Sequence, residues 1–166
     1  MRFVIDKSAV NKNAAKIVDL ADKSQVIGVV KANGYGLGTV EFAKILIQNG
    51  IDFLAVSSLG QAEALRKADI NEDILLLTPV ATVQDAEEAV MLNLTATIDS
   101  VYSAELLNSV AIKNSGKVKA HIKIDTGFGR YGFLPGEETK IKEVILKSKN
   151  IEFTGIYSHF SSAFVK

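Results

Sequence analysis

The chain has 166 residues, 48% hydrophobic and 23% charged, which is one domain's worth of sequence with enough apolar residues for a sizeable core. Its 19 basic and 19 acidic side chains cancel to a formal net charge of +0, so no basic excess points to nucleic acid and no acidic tail to a solvating segment. The absence of cysteine excludes disulfides, thiolate metal sites and a cysteine nucleophile, and no apolar run approaches the roughly 18 residues of a membrane span.

Met1 to Ile5 reads as short and partly extended, without the basic start and apolar core of a secretory signal, so a soluble cytoplasmic protein is the expectation. Asp6 or Ser8 can cap a helix to about Asp22, with Val10, Ala14, Ile17, Val18 and Ala21 on one face. Val26, Ile27, Val29 and Val30 then lack polar alternation, as a strand buried on both faces would. That strand delivers Lys31 to its C-terminal end, and Gly34, Gly36 and Gly38 give the following turn freedom to approach a ligand. Spacing alone leaves open a lysine that only reaches solvent, because glycine-rich turns after strands are common. Beyond the turn, Val40 to Gln48 reads as a helix stopped by Asn49-Gly50.

Strand and helix then alternate. Phe53 to Val56 is a second strand, Leu59 to Ala68 a helix, and Ile74 to Leu77 a third strand closed by Thr78-Pro79. A helix follows from Thr82 to Met91, then a strand from Leu94 to Ile98, then a helix capped by Ser100 and running to about Ile112. Val118 to Ile124 is a fifth strand and Phe153 to Tyr157 a sixth. Between them lies a helix from Glu137 to Lys149 with Ile141, Val144, Ile145 and Leu146 on its apolar stripe. The regular alternation fits a (β/α)8 barrel of about 250 residues or an open doubly wound sheet.

Three motifs sit on these strand ends: Val30-Lys31-Ala32-Asn33-Gly34-Tyr35-Gly36, the stretch from His121 through Asp125-Thr126-Gly127-Phe128-Gly129-Arg130 to Gly132, and Gly155-Ile156-Tyr157-Ser158-His159-Phe160. In this order they resemble the alanine racemase family, and weaker similarity between them extends the resemblance over nearly the whole chain; Asp6, Ala9 and Asn13 also fall where that family's opening pattern has them. The resemblance decides for the barrel. It implies an α/β TIM-type barrel represented by its N-terminal portion, with about six of eight strands across residues 1–166. Family members are more than twice as long, so the two closing strands and a C-terminal, mostly β domain would be absent. An unclosed barrel leaves two strand edges, which predicts association through them or a marginal fold.

The resemblance further implies a pyridoxal 5'-phosphate enzyme that interconverts L-alanine and D-alanine for peptidoglycan precursors, acting as a homodimer. Lys31 would be the catalytic lysine that condenses with the cofactor aldehyde and then works on the α-proton; a desolvated lysine near other cations can hold the neutral amine this needs. Tyr35 would donate to the cofactor phosphate, and its bland alternative is a tyrosine packing under the barrel rim. Arg130 would bind the substrate carboxylate and the ring oxygen, a task that suits a planar fork; otherwise it is a surface arginine. His159 would lie against the cofactor ring, although a lone histidine is more often structural. Lys123 points inward from its strand, where a bare ammonium is costly, and the matching lysine is carbamylated in some family members. Leu37 departs from the family, which commonly has histidine there.

The remaining groups carry no chemistry in this reading. Asp125 caps the turn at Thr126-Gly127 rather than acting as a base. His121, placed at the start of its strand, is structural, and Tyr131 and Tyr157 are packing residues. The two histidines lack metal-ligand spacing, so no metal is expected, and Ser57-Ser58 has no triad context. The opposing base of the family comes from a partner subunit's C-terminal domain, so the 166-residue chain alone should be close to inactive. Three alternatives remain: a non-catalytic pyridoxal-phosphate barrel of cofactor homeostasis, a racemase or decarboxylase of the same fold acting on another amino acid, and a purely structural α/β domain in which the lysine is incidental.

Overall fold

The computed structural model describes residues 4–163; the extended start expected at residues 1–3 lies outside them. The chain forms two compact units that divide after Leu77. Both are α/β with parallel sheets, and the order of elements follows the alternation read from the sequence.

The first unit holds α1 (Lys7–Ala21), β1 (Ile27–Val29), α2 (Lys31–Tyr35), α3 (Thr39–Gln48), β2 (Phe53–Val56), α4 (Leu59–Lys67) and β3 (Asp73–Leu76). Its strands pair in the order β1-β2-β3, all parallel, with Ile27 opposite Phe53 and Phe53 opposite Asp73. Asp6 starts α1 by accepting hydrogen bonds from the amides of Ser8 and Ala9. β2 is buried along its whole length, and Leu54, Leu65 and Ile74 are fully enclosed. Burying one such side chain contributes about 1.5–3 kcal/mol.

Two expectations are corrected here. The first strand is not buried on both faces: Gly28 and Val30 are buried, with Leu46 of α3 packed over the Gly28 face, but Ile27 on the opposite face is exposed. In α1 only Ala14 is buried and Ile17 stays 52% exposed, because the helix meets α3 through a narrow face.

The second unit holds α5 (Val83–Met91), β4 (Ala96–Ile98), α6 (Val101–Lys113), β5 (Val118–Ile124), α7 (Glu138–Lys147) and β6 (Ile151–Ser158). Its parallel order is β4-β5-β6. Thr82 with Asp85 and Ser100 with Ser103 form reciprocal caps at the starts of α5 and α6. The core is Ala96, Ile98, Leu107, Val110, Ala120 and Ile122. Of the stripe expected on α7 only Val144 is buried, while Ile145 and Leu146 are exposed, since α7 packs on α6 through one turn-spaced row. His121 lies in the middle of β5 rather than at its start.

The register of β5 and β6 slips between Ala120 and His121, so that His121 pairs with Gly155. A Cβ on Gly155 would come within 2.7 Å of the imidazole Nε2, which is why a side chain is missing there. The structural role expected of His121 follows: its buried ring lies on the bare backbone of Gly155.

Candidate functional site

In the first unit β1 ends at Val29 and Val30 is fully buried, its amide donating to the Ala55 carbonyl at 2.9 Å. Lys31 follows at the C-terminal tip, half-buried. The turn after it is not a loose glycine loop. Ala32 (φ 51, ψ 52), Asn33 (φ 55, ψ 44), Gly34 (φ 59, ψ 36) and Tyr35 (φ 55) form one turn of left-handed helix. The Gly34 amide donates to the Val30 carbonyl at 3.1 Å, and Gly38 donates to Asn33 at 2.9 Å. Each non-glycine residue in this conformation costs about 1–2 kcal/mol, so the turn stores strain of the kind that persists where surroundings over-determine it.

The surroundings are α3 and the strand end. The Thr39 hydroxyl donates to the same Val30 carbonyl at 3.4 Å. A Cβ on Gly34 would press on Phe42 Cβ at 3.2 Å and on the Thr39 amide at 3.3 Å, so the turn sits directly on the first turn of α3. Tyr35 projects outward and is 60% exposed. Leu37, in the position where the family resemblance expects histidine, lines an apolar groove of about 220 Å³ with Val10, Ala14, Phe42 and Leu46.

In the second unit the segment after β5 folds back on itself. Asp125 donates its amide to Phe133 and Phe133 donates to Lys123, both at 2.9 Å. The buried Asp125 carboxylate accepts hydrogen bonds from the amides of Gly127, Gly129 and Arg130 at 2.9–3.1 Å. These amides, that of Gly129 first, hold its carboxyl below the usual carboxylate range. Asp125 is thus the turn-holding residue read from the sequence. At Gly132 (φ 127) a Cβ would lie 2.7 Å from the Asp125 amide, so the fold-back admits only glycine.

This folded segment presents Arg130. Its guanidinium lies 4.9 Å from the centre of the Phe128 ring and 4.8 Å from that of Tyr131. Phe128 in turn meets the His159 imidazole edge-on at 4.7 Å, with 79° between the planes. His159 immediately follows β6, and Thr126 ties the loop to that strand end through a 2.7 Å hydrogen bond with Ser158.

Beneath, Lys123 is only 2% exposed; its ammonium donates to the Ile124 carbonyl at 2.7 Å and lies 5.8 Å from the ring centres of both Tyr131 and Tyr157. Burial depresses its pKa; the Asp125 charge opposes this and the Arg130 charge reinforces it. The Tyr157 hydroxyl shares a 2.8 Å hydrogen bond with Thr97, and burial pushes it up to about 12.

Arg130, Lys123 and His159 therefore gather at the C-terminal ends of β5 and β6 in the second unit, while Lys31 and Tyr35 sit together at the end of β1 in the first. The sequence marks Tyr131 and Tyr157 as packing groups and gives no sign of their place around Lys123. For Phe128 its only signal is an aromatic ring between two glycines. No cluster of three or more metal-ligating side chains occurs among the described residues.

A parallel α/β chain with its cations collected at the C-terminal ends of its strands belongs to the class that puts its chemistry at that end. Comparison with known proteins gives the family. The model for the alanine racemase N-terminal domain matches residues 5–165, and the chain belongs to that family. It is 41% identical over 162 residues to the alanine racemase of Methanococcus maripaludis, covering 96% of this chain and 43% of the relative. Among solved structures, the alanine racemase of Clostridium difficile superposes with a TM-score of 0.85 at 34% identity, over 96% of this chain and 42% of that one. The alanine racemase of Bacillus anthracis with bound L-Ala-P superposes with a TM-score of 0.88 at 28% identity, over the whole of this chain and 45% of that one. The chain thus spans about two fifths of the length of the curated relatives it matches.

Proposed function

We propose that the chain is the cofactor-holding part of an alanine racemase, a pyridoxal-phosphate enzyme interconverting L- and D-alanine for cell-wall precursors in the cytoplasm. The observation that carries the reading is Lys31: a half-buried lysine at a strand tip, just before a left-handed turn, inside the motif that resembles the family's. On this reading residues 1–166 supply the first six strands of an eight-stranded barrel. The mostly β C-terminal domain and the second subunit of a homodimer lie outside them.

Each unit by itself offers groups whose chemistry suits the cofactor. Lys31 would hold it; the outward Tyr35 hydroxyl would donate to its phosphate; Arg130 would meet the ring oxygen and the substrate carboxylate; His159 would lie against the ring. The cofactor, when bound, supplies the electron sink that makes the α-proton of alanine removable. Lys31 Nζ then takes and returns that proton on one face, and Arg130 orients the substrate through its planar fork. Lys123 is the candidate for carbamylation: burial favours its neutral amine, the form that reacts, and the resulting anion would face Arg130.

The test is a titration of pyridoxal phosphate into the chain, followed by visible absorbance. The expected result is saturation at one cofactor per chain, lost in Lys31→Ala, with alanine racemisation only after a racemase C-terminal segment is added. Saturation unaffected by Lys31→Ala would overturn the reading.

A further inference from the structure

Arg130 is held in an unusual way for a cation. Among the described residues no carboxylate lies within ion-pair distance of its guanidinium; the groups against it are two aromatic rings, Phe128 and Tyr131. A ring face attracts the cation without taking any of its donors, which stay available to an incoming carboxylate and to the anion that a carbamylated Lys123 would present. Phe128 also meets the His159 imidazole with its edge geometry at 4.7 Å. Its own place is set from below: Asp125 grips the amides of the flanking Gly127 and Gly129, and Thr126 is tied to Ser158 on β6.

We propose that Phe128 is a positioning residue, a single ring on which the Arg130 guanidinium and the His159 imidazole are jointly held so that Arg130 keeps its donors for an incoming carboxylate. The functional half of this inference rests on the racemase reading; the geometric half does not. Replacing the ring by an aliphatic side chain of similar bulk would free the His159 imidazole and leave the Arg130 guanidinium only the Tyr131 ring, while another aromatic would retain both contacts.

The experiment is NMR of the full 166-residue chain, whose two histidines make the imidazole signals assignable. In the wild type, contacts between Phe128 ring protons and His159 ring protons are expected; their absence overturns the proposal without any variant. In Phe128→Leu the His159 ring-proton shifts should move while those of the buried His121 stay, and Phe128→Tyr should restore them. His159 shifts that ignore Phe128→Leu overturn the proposal.

Acetate then serves as the carboxylate probe on the cofactor-loaded chain. Its affinity, read at the Arg130 Nε–H signal, should fall about 2- to 5-fold in Phe128→Leu, the size of an exposed cation–π contact. An unchanged affinity would remove the link to carboxylate binding. If the chain takes up no cofactor at Lys31 but the imidazole shifts behave as stated, the racemase reading falls and the platform stands.

Discussion

The two units present their cations at strand ends by opposite means. In the first, Lys31 rides on a left-handed turn whose strain is borne by Ala32, Asn33 and Tyr35 and contained by packing on α3. In the second, the left-handed positions of the loop, Gly127 and Gly129, are glycines that carry little strain, and the Asp125 carboxylate holds their amides in place. One cation is fixed by sterics and the other by a charge. The first should therefore respond to changes of backbone preference and the second to pH.

The largest effect should come from Gly132→Ala. The new Cβ would meet the Asp125 amide at 2.7 Å and the Lys123 carbonyl oxygen at 3.0 Å, both backbone atoms that cannot step aside. A loss of about 3 kcal/mol, at the upper end for overpacking, is expected in denaturant unfolding. A neutral result would mean that the fold-back is looser than described.

Acid should separate the units next. The Asp125 carboxyl sits below its usual range, so its stabilising contribution is fully present above the ordinary pKa of about 3.9 and is lost as the pH falls through the lower folded value. Thermal melts should show the wild type losing stability in that acid window. Asp125→Asn should be less stable at neutral pH and flatter across the window. An identical acid profile in the variant would take the carboxylate out of the account.

The smallest effect sharpens the other side. Ala32→Gly removes a left-handed alanine and should raise stability by about 1 kcal/mol or less, the strain relieved being partly offset by the added freedom of the unfolded chain. A destabilised Ala32→Gly would show that the turn is not strained.

Much of this was readable in the residues. The uninterrupted apolar runs gave the six strands to within about two residues in most cases, and Lys31 falls at the tip of β1 as the run before it implied. Thr82 and Ser100 announced the helix starts they cap. The handedness of the turn was only partly readable: Asn33 and Gly34 tolerate left-handed backbone, but Ala32 and Tyr35 carry no signal for it, and the turn depends on Gly34 fitting against Thr39 and Phe42. Nor was the Phe128 platform, since stacking between a loop and the end of another strand depends on register. The position of His121 against Gly155 failed for the same reason, because the slip at Ala120 is a property of the strand pair. The exposed Ile145 and Leu146 show that an apolar stripe marks where a helix can be buried, not how much of it is.

The proposed role of Lys31 is to hold the cofactor. Incubating the chain with pyridoxal phosphate, reducing with borohydride and mapping the modified peptide tests it most directly. The account predicts a label on Lys31 and, in Lys31→Ala, none at stoichiometric cofactor. A label spread over surface lysines, or confined to a lysine other than Lys31, would contradict it.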